Sequence, residues 1–278
     1  MHIGAMIFAT DYTIRTDELA IALEERGFES LFVPEHTHIP ASRKSPWPGG
    51  ADLPKDYWHT HDPFVSLAYA GAVTKNLKLG TGICLLSQRE PIVTAKSVAS
   101  LDMMSNGRLI FGIGGGWNVE EMEDHGVQYK TRFAQMREHV LAMKALWTEE
   151  EATFHGEFVN FDAAWAHPKP VQNPHPPVIL GGETDYTLRR IVEYGDGWLP
   201  RARSGFDAKE NLARLARIAE EGGRNLSEFS VSVFGASDDQ SVLDSWAEAG
   251  VTRALLTLPS EPQDDVLRRL DKYSAVIK

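Results

Sequence analysis

Short apolar segments and helical segments alternate eight times along this chain of 278 residues. Eight such units without a change in composition are typical of a closed (β/α)8 barrel, because a doubly wound sheet normally has fewer strands. We therefore expect a single α/β domain, a TIM barrel, over residues 1–278. The predicted strands are 2–8, 30–36, 76–87, 109–113, 177–182, 196–200, 228–234 and 253–258. The predicted helices are 16–26, 64–75, 90–105, 132–147, 184–194, 207–222, 239–249 and 262–276.

Residues 152–177 interrupt this alternation. Apolar and polar residues alternate here on both sides of His155-Gly156, which predicts a β-hairpin. The hairpin is expected as an insertion between the fourth helix and the fifth strand of the barrel.

Charge and cysteine content narrow the function classes. The net charge of −11 argues against a general nucleic-acid binder. No apolar stretch approaches the roughly 20 residues of a membrane span, and the N-terminus does not resemble a signal peptide. Cys84 is the only cysteine, so neither an intrachain disulfide nor a multi-cysteine metal site can form. We expect a cytoplasmic protein that binds neither nucleic acid nor membranes, with Cys84 as a small core residue.

Two predicted strands run directly into glycines. In (β/α)8 barrels the sites lie at the C-terminal ends of the strands, so both junctions are candidates. Glycine lets the backbone approach a ligand, and the start of the following helix favours negative charge. Arg201 and Arg203 follow the sixth strand and add guanidinium groups suited to one end of an elongated anion. The two glycine junctions comprise Gly114, Gly115, Gly116 and Trp117, and Gly181, Gly182, Glu183 and Thr184.

Two His-Thr-His triplets, at 36–38 and 59–61, each suggest a pair of ligands for one metal ion, because alternate residues of a strand point to the same side. The ends of the later strands supply no further histidine or aspartate, which disfavours a metal site. His36 lies nearest to a strand end and is the better candidate for a base or hydrogen-bond donor. His38, His59 and His61 fall in the long segment 37–61, which is predicted to be a functional lid or a disordered loop.

Five segments together resemble the bacterial luciferase-like superfamily of barrel oxidoreductases, in particular its coenzyme F420-dependent branch. They occur in the family's order over most of the chain, and the hairpin lies where the family carries one. The segments are GFESLFVPEH (27–36), LKLGTGICLLSQREP (77–91), AKSVASLDMMSNGRLIFGIGGGWNVEEME (95–123), PPVILGG (176–182) and YGDGWLP (194–200).

The resemblance implies a flavin or deazaflavin at the C-terminal mouth of the barrel. A non-prolyl cis peptide that backs the ring in relatives would fall at Gly82-Ile83, and the family's phosphate turn matches 181–184. The acid-histidine pair of strand two matches Glu35-His36, with the histidine near the reactive carbon of the deazaflavin. Trp117 stands where the sugar-phosphate dehydrogenases of the family carry a catalytic glutamate, so their acid-base mechanism is not expected here.

These observations predict hydride transfer between coenzyme F420 and a small organic substrate, with His36 and Trp117 as the catalytic residues. The expected cofactor-binding residues are Glu35, Gly82, Ile83, Gly115, Gly116, Asn118, Gly181, Gly182, Glu183, Thr184, Arg201 and Arg203.

Several alternatives stay open from the sequence. The first is an FMN-dependent luciferase-like monooxygenase that uses reduced flavin and O2. Less favoured are a metal-dependent barrel hydrolase and a non-catalytic flavin-binding homologue. The resemblance also implies a homodimer and a separate flavin or F420 reductase as a partner.

Overall fold

The computed structural model describes residues 1–50, 52–202 and 206–277. Within these ranges ten strands are found, of which eight are parallel and close into a barrel, as predicted. The strands are β1 (His2–Met6), β2 (Ser30–Val33), β3 (Lys78–Thr81), β4 (Leu109–Ile113), β5 (Ala152–His155), β6 (Asn160–Ala164), β7 (Val178–Gly181), β8 (Gly197–Leu199), β9 (Ser230–Ala236) and β10 (Arg253–Thr257). Their order around the barrel is β1-β10-β9-β8-β7-β4-β3-β2, and β5 pairs with β6 in the predicted antiparallel hairpin.

Helices separate the strands and cover the outside of the barrel. They are α1 (Thr16–Glu25), α2 (Asp56–His59), α3 (Pro63–Val73), α4 (Pro91–Met104), α5 (Val119–Asp124), α6 (Arg132–Thr148), α7 (Asp185–Tyr194), α8 (Ala208–Glu221), α9 (Gln240–Ala249) and α10 (Gln263–Tyr273). None of the helices within the described ranges combines the length and apolarity needed to cross a bilayer.

Two helix starts follow the capping signals in the sequence. The Asp62 carboxylate accepts hydrogen bonds from the first turn of α3, and the Glu90 carboxylate does the same for α4. A proline occupies the first helical position in each case, where its missing N–H leaves no backbone bond unmade. The helix boundaries are therefore encoded locally.

The third strand differs from its prediction. β3 ends at Thr81, whereas the apolar run predicted a strand to 87. The peptide bond between Gly82 and Ile83 is cis, as the resemblance implied, and a single 3-10 turn follows at Leu86–Gln88. Beyond Thr81 the chain still pairs with the end of β4 through a bridge between Cys84 and Ile113, and Leu86 is buried in the turn. The apolar run therefore continues past the end of the strand.

The interior of the barrel is apolar below its C-terminal mouth. Partly buried apolar side chains extend this interior toward the mouth. Cys84 is a free thiol, buried in the larger cluster between the barrel and the helices. The filled interior leaves the C-terminal end as the place where a ligand can enter. The inner cluster consists of Met6, Phe32, Ile110, Ile179, Leu199 and Leu255, with Phe8, Ile83 and Phe234 packed against it.

Candidate active site

A cavity of about 530 Å3 opens at the C-terminal ends of five neighbouring strands, β3, β4, β7, β8 and β9. Its size falls within the range of small-molecule and cofactor sites. Predicted site residues that line it are Gly82, Ile83, Gly115, Gly116, Gly181, Gly182, Glu183, Thr184 and Arg201. Gly114, from the first candidate glycine junction, lines it as well. Lining residues that were not predicted as site residues are Arg132, Phe133, Tyr186, Thr187, Arg190, Leu199 and Phe234.

One wall of the cavity is backbone that tolerates no side chain. A Cβ on Gly114 would lie 2.6 Å from Ile83 Cδ1, and one on Gly115 would lie 2.6 Å from Phe133 Cε1. Gly116 has a φ of +70°, a conformation that favours glycine. The glycines thus let Ile83, beyond the cis peptide, and Phe133 approach the end of β4. The resulting surface suits the face of a planar ring.

The other end of the cavity is the start of α7. Gly182 has a φ of +119°, and the Thr184 hydroxyl accepts a hydrogen bond from the Thr187 N–H at 3.2 Å. Gly182, Thr184 and Tyr186 line the cavity, so the start of α7, where free N–H groups and the helix dipole favour an anion, borders it. The predicted phosphate turn therefore lies in the same cavity as the glycine wall.

Arg201 lines the cavity, but its charge is already matched. Two nitrogens of its guanidinium group, Nε and Nη2, donate hydrogen bonds to the two oxygens of the Glu183 carboxylate, each at 2.8 Å. These hydrogen bonds and the carboxylate charge raise the pKa of Arg201. Arg203, the other predicted anion ligand, lies outside the described residues.

Arg132 and Arg190 form a cationic pair that the sequence reasoning missed. Their guanidinium carbons lie 4.2 and 3.8 Å from the centroid of the Phe133 ring. Within the described residues, neither has a carboxylate partner, and Arg132 Nε is buried without a hydrogen bond. Burial lowers the pKa of Arg132, and the Arg190 charge lowers it further. Two uncompensated cations in a cavity wall favour an anionic ligand.

Glu35 is buried behind the site and does not line the cavity. Its carboxylate accepts hydrogen bonds from Leu85 N–H and Arg89 Nε, both at 2.7 Å. Arg89 also pairs with Asp62 at the start of α3. These contacts tie the end of β2 to the segment that follows the cis peptide, so Glu35 braces the wall from outside.

Asn118 is also buried, and its side chain caps α5. Its Oδ1 accepts a hydrogen bond from Glu121 N–H at 3.3 Å. A cap in this position fixes the direction in which the chain leaves the β4 glycines. Asn118 therefore orients the segment next to the cavity without lining it.

His36 and Trp117 lie next to each other in an aromatic cluster beside the cavity. The centroid of the His36 ring lies 5.9 Å from that of Trp117 and 5.2 Å from that of Tyr57. His36 Nδ1 lies 2.8 Å from Glu121 Oε2. Tyr57 comes from α2 within the predicted lid, where burial raises the pKa of its hydroxyl. Neither predicted catalytic residue is a cavity-lining residue in this arrangement.

The other histidines of the two triplets have separate partners. His38 Nε2 contacts Asp124 at 2.9 Å, His59 Nδ1 contacts Asp11 at 2.8 Å, and His61 is exposed. Across residues 1–50, 52–202 and 206–277, no group of three or more His, Cys, Asp and Glu side chains is arranged to hold a metal ion.

Residues 4–256 match the family model described as luciferase-like monooxygenase. The chain belongs to the luciferase-like monooxygenase family. An uncharacterized protein of Mycobacterium tuberculosis is 41% identical over 282 residues, covering 99% of this chain and 98% of the relative. The luciferase-like barrel thus extends over nearly the full length of both proteins.

Two solved structures share the luciferase-like fold. A monooxygenase from Streptomyces bottropensis has a TM-score of 0.82 at 19% identity and covers 100% of this chain and 98% of its own. An F420-dependent secondary alcohol dehydrogenase, in complex with an F420-acetone adduct, has a TM-score of 0.78 at 20% identity, with 99% and 98% covered. Membership of the family makes this chain an oxidoreductase or monooxygenase, and supports a flavin or deazaflavin as its cofactor.

Proposed function

We propose that the chain, acting as one catalytic domain over 1–278, transfers a hydride between coenzyme F420 and a small organic substrate. The observation that carries this proposal is the cavity itself, which joins a flat glycine wall at one end to an anion-binding helix start at the other. A planar ring with an anionic side chain has that shape and charge. The F420-dependent alcohol dehydrogenase with the same fold supports the choice of deazaflavin.

The proposed ring site uses the residues of the glycine wall. Gly82, Ile83, Gly115 and Gly116 would hold the ring, because all four line the cavity. A side chain at Gly115 would crowd Phe133, and one at Gly116 would crowd Met122. The wall therefore requires glycine at both positions. Glu35 and Asn118, predicted as cofactor ligands, support this wall through the backbone segments that they hold.

The proposed anion site lies at the start of α7. Gly181, Gly182 and Thr184 would hold the phosphate of the cofactor, where the helix dipole favours an anion. Arg132 and Arg190 supply the positive charge, because Glu183 already neutralises Arg201. Arg203 follows Arg201 by two positions in the sequence and stays a predicted ligand.

When bound, the deazaflavin accepts or donates the hydride. For an alcohol, the hydride leaves the carbinol carbon, the hydroxyl proton goes to His36 Nε2, and a carbonyl remains. The reverse direction returns the same proton. Trp117 and Tyr57 surround His36 with apolar surface, which excludes water from the site of proton transfer.

Turnover distinguishes the two cofactor chemistries. Mixing the purified chain with reduced F420 and a panel of ketones and aldehydes is expected to oxidise F420 without consuming O2. The alternative is an FMN-dependent monooxygenase that is supplied with reduced flavin by a separate reductase. The description of the family, luciferase-like monooxygenase, supports this alternative. O2 consumption with reduced FMN, together with no reaction of reduced F420, would establish that alternative instead.

We also propose that the enzyme is a cytoplasmic homodimer. Two neighbouring helices, α3 and α4, expose apolar side chains, and α3 contains no charged residue. Ala68 and Ala72 of α3 line a shallow groove together with Met104 of α4, so the two exposed faces are continuous. A large apolar patch is uncommon on monomers and favours a two-fold contact with a second copy. The exposed apolar residues are Val65, Ala68, Tyr69, Ala72 and Val73 of α3 and Ile92, Val93, Met103 and Met104 of α4.

The mass of the protein in solution tests this proposal. Light scattering is expected to give twice the mass of the chain, and Val65→Glu with Met104→Glu is expected to give the single mass with an unchanged circular dichroism spectrum. A wild-type monomer at micromolar concentration would contradict the homodimer.

A further inference from the structure

Helix α5 carries three acidic side chains that contact the segment following β2. Glu120 Oε2 accepts a hydrogen bond from Ser45 N–H at 3.2 Å, and Asp124 Oδ2 lies 2.9 Å from His38 Nε2. Glu121 contacts His36. Glu121 differs from the other two because its side chain is only 1% exposed, and the His36 side chain is 6% exposed.

The buried carboxyl of Glu121 has a single partner within the described part of the chain. Its Oε2 lies 2.8 Å from His36 Nδ1, while its Oε1 is buried without a hydrogen bond. Burial of a carboxyl group is costly unless it is paired, so a carboxyl that serves only packing would be replaced favourably by an apolar residue. The contact with His36 is therefore the feature of Glu121 that needs a chemical explanation.

The contact determines which nitrogen of His36 carries hydrogen. An ionised carboxylate can only accept, so the hydrogen between the two groups belongs to Nδ1, and Nε2 keeps its lone pair. Within the described residues, Nε2 has no hydrogen-bond partner, and the rings of Trp117 and Tyr57 lie beside the imidazole. Nε2 is thus the ring nitrogen of His36 that is available to a substrate.

We infer that Glu121 is a positioning residue, which holds His36 in the Nδ1–H tautomer so that Nε2 can accept a proton from the substrate. The inference rests on the proposed function for the identity of the proton donor. When the alcohol proton reaches Nε2, the imidazole becomes positively charged, and the adjacent carboxylate stabilises that charge. Glu121 itself exchanges no atom with the substrate.

The tautomer can be measured without any cofactor. In 15N spectra of histidine-labelled protein in mildly alkaline buffer, the His36 signals are those lost in His36→Gln. The wild type is expected to show a protonated Nδ1 and an unprotonated Nε2. Glu121→Met, of similar length, is expected to shift His36 toward the Nε2–H tautomer that free imidazole favours. Asp124→Asn, on the same helix, is the matched control and is expected to change His38 while His36 is unaltered.

Two results would overturn the inference: a wild-type His36 that is protonated on Nε2, or His36 signals that are the same in Glu121→Met. Thermal unfolding verifies that Glu121→Met is folded, and Glu121→Gln provides a second variant because its amide oxygen can still accept from Nδ1. Glu121→Gln is expected to keep the wild-type tautomer.

Kinetics give an independent readout once a substrate is in hand. Glu121→Met is expected to lower kcat by about 10- to 100-fold, less than the loss of a general base, with KM and cofactor affinity retained. If the tautomer is as expected but neither F420 nor FMN binds, the proposed function fails and the role of Glu121 stands. If cofactor binds but wild-type His36 is protonated on Nε2, the role of Glu121 fails and the proposed cofactor binding stands.

Discussion

Arg190 stacks on Phe133, with 3.8 Å between its guanidinium carbon and the centroid of the ring. Arg132 lies over the same ring at 4.2 Å. Both guanidinium groups therefore lie against one aromatic ring in the lining of the cavity, where their charges favour an anionic ligand. This arrangement explains how an acidic protein can offer an anion site at one place on its surface.

Removal of one of these charges is expected to weaken cofactor binding selectively. A hydrogen bond to a charged group contributes about 1.5–3 kcal/mol, so Arg190→Met should raise the cofactor Kd by about 10- to 100-fold. Fluorescence titration measures the change. Arg189→Met is the matched control, because Arg189 is the neighbouring residue and pairs with Glu221 on the outside of α7. Equal Kd values for the two variants would contradict the assignment of Arg190.

The glycine wall can be tested at positions with matched backbone strain. Gly116 and Gly126 have φ values of +70° and +75°, but a Cβ on Gly116 would lie 2.8 Å from Met122 Cε and one on Gly126 would meet nothing within 4 Å. Both alanine variants should therefore lose a similar backbone contribution of about 1–2 kcal/mol. Only Gly116→Ala is expected to reduce cofactor affinity as well. A loss of binding in Gly126→Ala of the same size would show that strain, not the wall, is responsible.

Glu35 is expected to act on stability more than on chemistry. Glu35→Gln keeps the volume of the side chain but leaves Arg89 without its buried counter-charge, which should lower the free energy of unfolding by about 1–3 kcal/mol. Urea denaturation measures this. Asp62→Asn removes the more exposed carboxylate beside Arg89 and keeps a good helix cap, so its effect should stay below about 1 kcal/mol. The opposite order of the two effects would contradict the bracing role of Glu35.

The Glu29 carboxyl group is expected to contribute to the loss of folding stability at low pH. Burial raises its pKa, but the hydrogen bonds and charge of Arg253 outweigh burial, so the pKa lies below its usual range. A lowered folded-state pKa stabilises the protein above the unfolded value of about 4.3, and this stabilisation is lost as the pH falls through the folded value. Urea unfolding at several pH values should therefore give a shallower acid limb for Glu29→Gln than for the wild type. Parallel curves would rule out this contribution.

Much of the fold could be predicted because its signals are local. The strand and helix alternation, the capping residues Asp62 and Glu90, and the hairpin around His155 are each encoded by neighbouring residues. The glycine-rich ends of β4 and β7 could be assigned to one mouth because a closed parallel barrel brings the carboxyl ends of its strands together.

The partners within the site could not be predicted in the same way. Arg132 begins one helix and Arg190 lies inside another, and no sequence pattern relates them to Phe133. Glu183 is adjacent to the predicted phosphate turn, yet its pairing with Arg201 depends on how β7 and β8 place their ends. Glu121 is one of several acids in a short helix, and its buried contact with His36 joins residues 85 positions apart in the sequence.

Paired titration of the purified chain with F420 and with FMN, followed by ligand fluorescence, tests the central claim most directly. Saturable binding of F420 at one site per chain is expected, with weaker binding of FMN and a loss of F420 affinity in Arg190→Met. Absence of binding by both ligands would contradict the assignment of the cavity as a deazaflavin site. Tight FMN binding without F420 binding would contradict the choice of F420 and leave the monooxygenase alternative.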